Sequence, residues 1–224
     1  MASGAGPVPV IAIDGPSASG KGTIAQRVAA RLGFHYLDSG AIYRAAALAA
    51  ARAGIDLADA EAVARLARGL PLAFSGERIL LAGDDVSEAI RDEAMSAAAS
   101  VVAAWPPVRD ALLERQRAFR EAPGLVADGR DMGSVVFPDA VLKVFLTASA
   151  EVRAERRYKQ LIEKGLSASL LRILQDLRTR DERDARRAVA PLRALTPEAV
   201  LDSDGRTIDE VVAIVLDRYR RALQ

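Results

Sequence analysis

Pro7-Val8-Pro9-Val10-Ile11-Ala12-Ile13-Asp14-Gly15-Pro16-Ser17-Ala18-Ser19-Gly20-Lys21-Gly22-Thr23 runs an apolar segment straight into a glycine-rich turn. That junction decides the fold. Pro7 to Ile13 reads as a buried strand, and Gly15 to Gly20 as a loop. From Lys21 to Leu32 the apolar residues take helical spacing. Glycines let such a loop curl so that successive N–H groups point inward at phosphate oxygens. The start of the following helix adds a partial positive charge. Lys21 is placed to bridge β- and γ-phosphates and to follow negative charge as it moves. The usual spacing is G-x-x-x-x-G-K-[ST]; here Gly22 takes the hydroxyl position and the hydroxyl arrives one residue later, at Thr23. A metal ion is therefore expected to be held through water rather than gripped by a side chain after the lysine. An ordinary Gly/Ser turn is the competing reading, and the preceding strand together with Lys21 argues against it.

Outward from that loop, Phe34 to Leu37 is a short strand and Ser39 opens an alanine-rich helix to about Ala53. A helix over Ala58–Arg68 leads into strands Leu70–Phe74 and Arg78–Leu81, parted by Ser75-Gly76-Glu77, which reads as a hairpin. Helices follow over Glu93–Ala104 and Val108–Ala122, separated by Pro106-Pro107. Leu125–Ala127 and Val141–Leu146 are apolar without alternation, as in strands covered on both faces. Ser149–Lys164 and Ser167–Ala188 read as helices broken at Gly165. Ala199–Leu201 is a last strand, and Thr207 with Glu210 forms a capping box for the final helix. About five strands separated by helices predict an α/β fold with a doubly wound parallel sheet.

Composition narrows the chemistry. Basic and acidic residues number 31 and 30, a net charge of +1, so no broad cationic surface for nucleic acid is implied. Twenty-seven of the basic residues are Arg and only four are Lys, which makes a lysine inside a glycine loop more telling. Cysteine is absent and His35 is the only histidine, excluding thiolate catalysis, disulfides and a structural zinc site. The longest uncharged stretch, Ala94–Val108, is too short to span a bilayer. No side chain before Lys21 is basic, so no targeting signature is read there, and a cytoplasmic location is expected.

A guanine-nucleotide switch is the rival from another class, but its guanine reader needs an Asn- or Thr-Lys-x-Asp motif. The chain has no Asn, and no lysine follows Thr. A phosphotransferase needs an acceptor pocket with arginines to spread transition-state charge. Asp38-Ser39-Gly40-Ala41-Ile42-Tyr43-Arg44 and Asp128-Gly129-Arg130-Asp131 lie at carboxyl ends of predicted strands, the edge where parallel sheets bind ligands. Arg180, Asp184 and Arg187 share one helical face; spacing alone fits an exposed ion-pair ladder equally well.

The stretches GPSASGKGT, LDSGAIYR, QRAF, ADGRDMGSVVFPDA and DERDARRAVAPL, taken together, resemble the bacterial cytidylate (CMP) kinases, members of the P-loop nucleoside monophosphate kinase family, over essentially the whole chain. The resemblance implies transfer of the γ-phosphate of ATP to CMP, and to dCMP, with Mg²⁺ accompanying ATP. By it, Gly15, Pro16, Ser17, Ala18, Ser19, Gly20, Lys21, Gly22 and Thr23 would bind ATP, and Lys21, Arg130 and Asp128 would form the catalytic set. Ser39, Arg44 and Arg130 would hold the acceptor phosphate; Ser100, Arg109 and Asp131 would read the base; Arg180, Asp184 and Arg187 would meet sugar and base. Asp128 would organise magnesium-bound water, with no direct protein ligand to the metal. Cytosine offers an N4 amino donor and acceptors at N3 and O2, so the same set should favour CMP over UMP. A single domain is expected, with core residues 1–57, 106–152 and 168–224, an inserted monophosphate-binding part over about 58–105, and a lid over about 153–167. Arg153, Arg156, Arg157 and Lys159 are the candidate lid cations. A monomer without membrane or nucleic-acid partner is expected.

Overall fold

A computed structural model describes residues 7–75 and 78–224. Gly76 and Glu77 of the expected hairpin turn lie outside the described residues. In chain order the elements are β1 (Val10–Asp14), α1 (Lys21–Leu32), β2 (His35–Asp38), α2 (Ser39–Arg52), α3 (Ala60–Arg68), β3 (Leu72–Ser75), β4 (Arg78–Leu81) and β5 (Asp84–Asp85). There follow α4 (Glu93–Val102), α5 (Pro106–Arg117), β6 (Leu125–Gly129), β7 (Leu142–Thr147), α6 (Ala150–Glu163), α7 (Leu170–Ala185), β8 (Val200–Asp202) and α8 (Ile208–Ala222). A π-helical turn, Met132–Val136, follows β6.

By packing, the chain divides into two compact units: one of residues up to Leu37 together with Phe119–Gln224, the other Asp38–Ala118. The first holds a five-stranded parallel sheet in the order β2-β6-β1-β7-β8. All five residues of β1 and of β6 are buried, as the unalternating run Leu125–Ala127 requires; the run Val141–Leu146, expected to be covered on both faces as well, buries only Val144 and Leu146, while Val141 is exposed and Leu142, Lys143 and Phe145 are half-buried. Register sets Asp14 beside Gly129 and Phe145, so the carboxyl ends of β1 and β6 finish together. On one face Ile11, Ile13, Val126, Val144 and Leu146 pack with Ile24 and Val28 of α1 and with Val211, Val212, Val215 and Tyr219 of α8. Each such side chain contributes roughly 1.5–3 kcal/mol on burial. Helix α8 starts as expected, Thr207 and Glu210 bonding reciprocally to each other's backbone N–H.

The second unit is helical, α2 packing on α4 and α3 on α5, with a small antiparallel sheet β3-β4-β5. The segment read as an insertion, about 58–105, falls inside it. The unit reaches further, taking in α2 and α5, because those helices supply the surfaces on which α4 and α3 pack. No helix of the described residues is long and apolar enough to cross a membrane.

Candidate active site

The loop after β1 is shaped by steric limits at particular residues. A Cβ at Gly15 would collide with the main-chain carbonyl oxygen of Leu146 in β7, so glycine is required for the loop to leave the sheet there. Gly20 has φ 88°, left-handed geometry that glycine adopts at little cost, and it turns the chain into α1. Ala18 also lies in the left-handed region, at φ 59°. Six of the eight α-helices start on an Asp, Ser or Thr side chain that accepts a first-turn N–H; α5 starts on Pro106-Pro107 instead. Helix α1 has no capping side chain and no acid in its first turn. Its first N–H groups are thus left to a ligand, and an anion is the ligand they suit. Lys21 Nζ donates to the Pro16 carbonyl at 3.2 Å, folding the ammonium over the loop. Thr23 is exposed.

Two carboxylates stand at adjacent strand ends. Asp128 is buried and accepts a 2.5 Å hydrogen bond from the Tyr36 hydroxyl. A Cβ at Gly22 would sit 3.5 Å from that hydroxyl and 3.6 Å from Asp128 Oδ2, so the acid lies against the start of α1 where a loop hydroxyl would otherwise be. No group of three or more acids or histidines placed to hold a metal occurs among the described residues. Asp14 accepts from Met132 N at 2.8 Å and Gly133 N at 2.9 Å. Burial pushes its pKa up to about 7, despite those two donors and the charge of Arg130.

In the same unit Arg130, Asp184 and Arg187 come together. Arg130 Nε donates to Asp184 Oδ2 at 2.8 Å, and Arg187 donates to the other oxygen. Burial alone would raise the Asp184 pKa, but Arg130, Arg187 and Arg180 outweigh it and hold the group below the usual carboxylate range. With Asp184 1% exposed, this is a buried charge cluster and not the exposed ladder that spacing alone allowed. Asp131, also buried, opens the π-turn, its carbonyl accepting from Val135 and Val136.

The second unit holds Ser39, Arg44, Ser100 and Arg109. Asp38 caps α2, and Ser39 is its first, buried residue. Arg44 pairs with Asp38 at 2.7 Å. Ser100 and Arg109 are buried; the Arg109 guanidinium lies 6.0 Å from the centre of the Tyr43 ring and donates to the Ala103 carbonyl, within cation–π range.

The candidate lid cations separate clearly. Arg153, 4% exposed, donates to the Ala148 and Ser17 carbonyls and to both oxygens of Asp181. Arg156 bonds the Ser19 carbonyl and Ser203. Both bond main-chain carbonyls of the glycine loop, whereas Arg157 bonds Gln160 on its own helix. Asp38 and Tyr43 lay in the candidate segment 38–44 without an assigned role, and Asp14, Tyr36 and Asp181 had no place among the sequence-derived site residues. Asp14 could have been flagged by its place at a strand end; Tyr36 and Asp181 carried no signal.

A glycine loop between a buried parallel strand and an uncapped helix, with a lysine over it and acids at the neighbouring strand end, defines the P-loop class of nucleoside-triphosphate-binding proteins. The family model described as Cytidylate kinase matches residues 11–221. A cytidylate kinase of Ralstonia pickettii is 60% identical over 96% of this chain and 93% of its own length. That of Cupriavidus necator is 59% identical over 95% and 96%, and that of Bordetella bronchiseptica 58% identical over 98% and 99%. The chain belongs to the cytidylate kinase family, whose members are ATP-dependent nucleoside monophosphate kinases.

Proposed function

We propose that this chain transfers the γ-phosphate of ATP to CMP, giving ADP and CDP, and accepts dCMP in the same way, as a cytoplasmic monomer. An oxygen of the acceptor phosphate attacks the γ-phosphorus in line, and the bond to the bridging oxygen of ADP breaks. The acceptor phosphate is already ionised near neutral pH, so no protein base is needed; positioning and charge neutralisation carry the rate.

The observation that carries the reading is the buried arginine cluster on Asp184, in the same unit as the uncapped start of α1. Residues 15–23 wrap the ATP phosphates and Lys21 follows the γ-phosphoryl charge. Mg²⁺ bound with ATP would supply further neutralisation of phosphate charge, and Asp128, oriented by Tyr36, would hold the water around it. Arg130 binds the acceptor phosphate and Asp131 accepts from the cytosine N4 amino group; Arg180, Asp184 and Arg187 meet sugar and base. In the other unit, Ser39 and Arg44 hold the acceptor phosphate, and Ser100 and Arg109 read the cytosine acceptors. The region of about 58–105 serves the monophosphate, and that of about 153–167 acts as the lid.

A coupled ADP assay with Mg²⁺-ATP and CMP, dCMP or UMP tests this. CMP and dCMP should give ADP, with kcat/KM for CMP well above that for UMP. No CMP-dependent ADP release would sink the activity; equal values for CMP and UMP would remove Asp131 as base reader.

A further inference from the structure

We propose that Asp38 is a positioning residue for the acceptor phosphate: its carboxylate does two jobs at once, starting α2 and holding the Arg44 guanidinium in place, and Gly40 is glycine because that guanidinium passes over it. The inference rests on the reading above that Arg44 holds the acceptor phosphate.

The geometry divides the carboxylate between two donors. Oδ1 accepts the Ala41 N–H at 3.0 Å, the bond of a helix cap. Oδ2 accepts from Arg44 NH2 at 2.7 Å, so the arginine, six residues on, folds back over the first turn of its own helix. The space it crosses belongs to Gly40. A Cβ there would lie 2.9 Å from Arg44 NH1, so the guanidinium would have to move, and 3.1 Å from Asp38 Oδ1, which a shift of a few tenths of an ångström relieves.

The pair is sheltered, with 18% of the Arg44 side chain and 33% of that of Asp38 exposed. Partial burial strengthens a charge-assisted bond compared with one in open water. Arg44 Nε is buried and bonded to nothing among the described residues. A buried donor is costly to leave unmet, and this one, on the fixed guanidinium itself, is what an incoming phosphate oxygen would satisfy. A free arginine would spread over several rotamers, and ordering it would oppose binding of the acceptor. Asp38 has met that ordering cost before CMP arrives.

Asn and Asp cap helices about equally well, which lets the two jobs be separated. Asp38→Asn keeps the cap and loses the charge pairing; Asp38→Ser keeps a cap but cannot reach Arg44; Gly40→Ala leaves Asp38 and displaces the guanidinium. Each should raise KM for CMP about tenfold, the scale of a lost charged hydrogen bond. KM for ATP and the urea midpoint should change little, and in an Arg44→Ala background Asp38→Asn should add nothing further. If Arg44→Ala raises KM for CMP while the Asp38 and Gly40 variants leave it within about twofold, Asp38 is only a helix cap and the inference is overturned. If Arg44→Ala itself leaves KM for CMP unchanged, the reading of Arg44 falls and takes this inference with it.

Discussion

Lys21 donates to the carbonyl of Pro16, five residues back, a bond that contributes about 1 kcal/mol. An exchange of that bond for phosphate oxygens costs the fold little and gains much in the transition state. For Lys21→Ala, turnover should therefore fall by about a hundredfold or more, with the urea midpoint nearly unmoved; steady-state kinetics beside a urea melt checks both. For Arg187, whose partner Asp184 is buried, alanine should weaken CMP binding and leave ATP affinity little changed. Retained CMP affinity would return that helix face to a structural ion-pair role. Residues of the loop were legible because glycine and lysine at fixed spacing have few other uses. Asp14 and Tyr36 were not, because their partners lie 118 and 92 residues away and no local pattern encodes such distances.

Among elements, α6 and α7 pack along each other, and Arg153 of the first clasps Asp181 of the second while also bonding the Ser17 carbonyl. The donor loop and the helix carrying Arg180, Asp184 and Arg187 are thus tied through one guanidinium. Arg153→Lys keeps the charge but cannot reproduce the fork to both carboxylate oxygens. It should weaken ATP and CMP together, by a few-fold each, in equilibrium titrations with a non-hydrolysable ATP analogue. An effect on one ligand alone would count against the tie. Most elements were legible from periodicity and capping, as with α1 and the Thr207–Glu210 start of α8. Helix α5 begins two residues before the expected Val108, because proline suits the first turn of a helix, where its missing N–H is not needed. The π-turn after β6 was not legible, since it is held by Asp14 from another strand. Strand β5 was missed because two aspartates carry no strand propensity; its place comes from pairing with β4.

For the whole molecule, Asp14 predicts a signature in stability against pH. Its pKa is raised from 3.8 to about 7 by burial, so the folded protein holds this proton more tightly than the unfolded chain. The contribution is full below about pH 4 and is lost as pH rises through about 7. Asp14→Asn lacks that titration. The gap in urea midpoint between parent and variant should narrow from about pH 5 to about pH 8; a constant gap would show that Asp14 is ionised throughout. The α/β class and parallel sheet were readable from the order of elements, and an inserted part was expected over about 58–105, but the bounds of the second unit, Asp38–Ala118, were not readable. They depend on which helices share a packing surface, a property of tertiary contact and not of any one segment.

Arg44 and Arg130 each rest against an internal carboxylate, Asp38 and Asp184, and this has a consequence for selectivity. A bare inorganic phosphate must compete with a counter-anion already tethered at high local concentration, and it offers only charge in return. A nucleotide brings a base and a sugar as well, and those added contacts tip the exchange. If Arg44 and Arg130 hold the acceptor phosphate as proposed, each tethered acid sets a threshold at its own arginine that phosphate alone falls below.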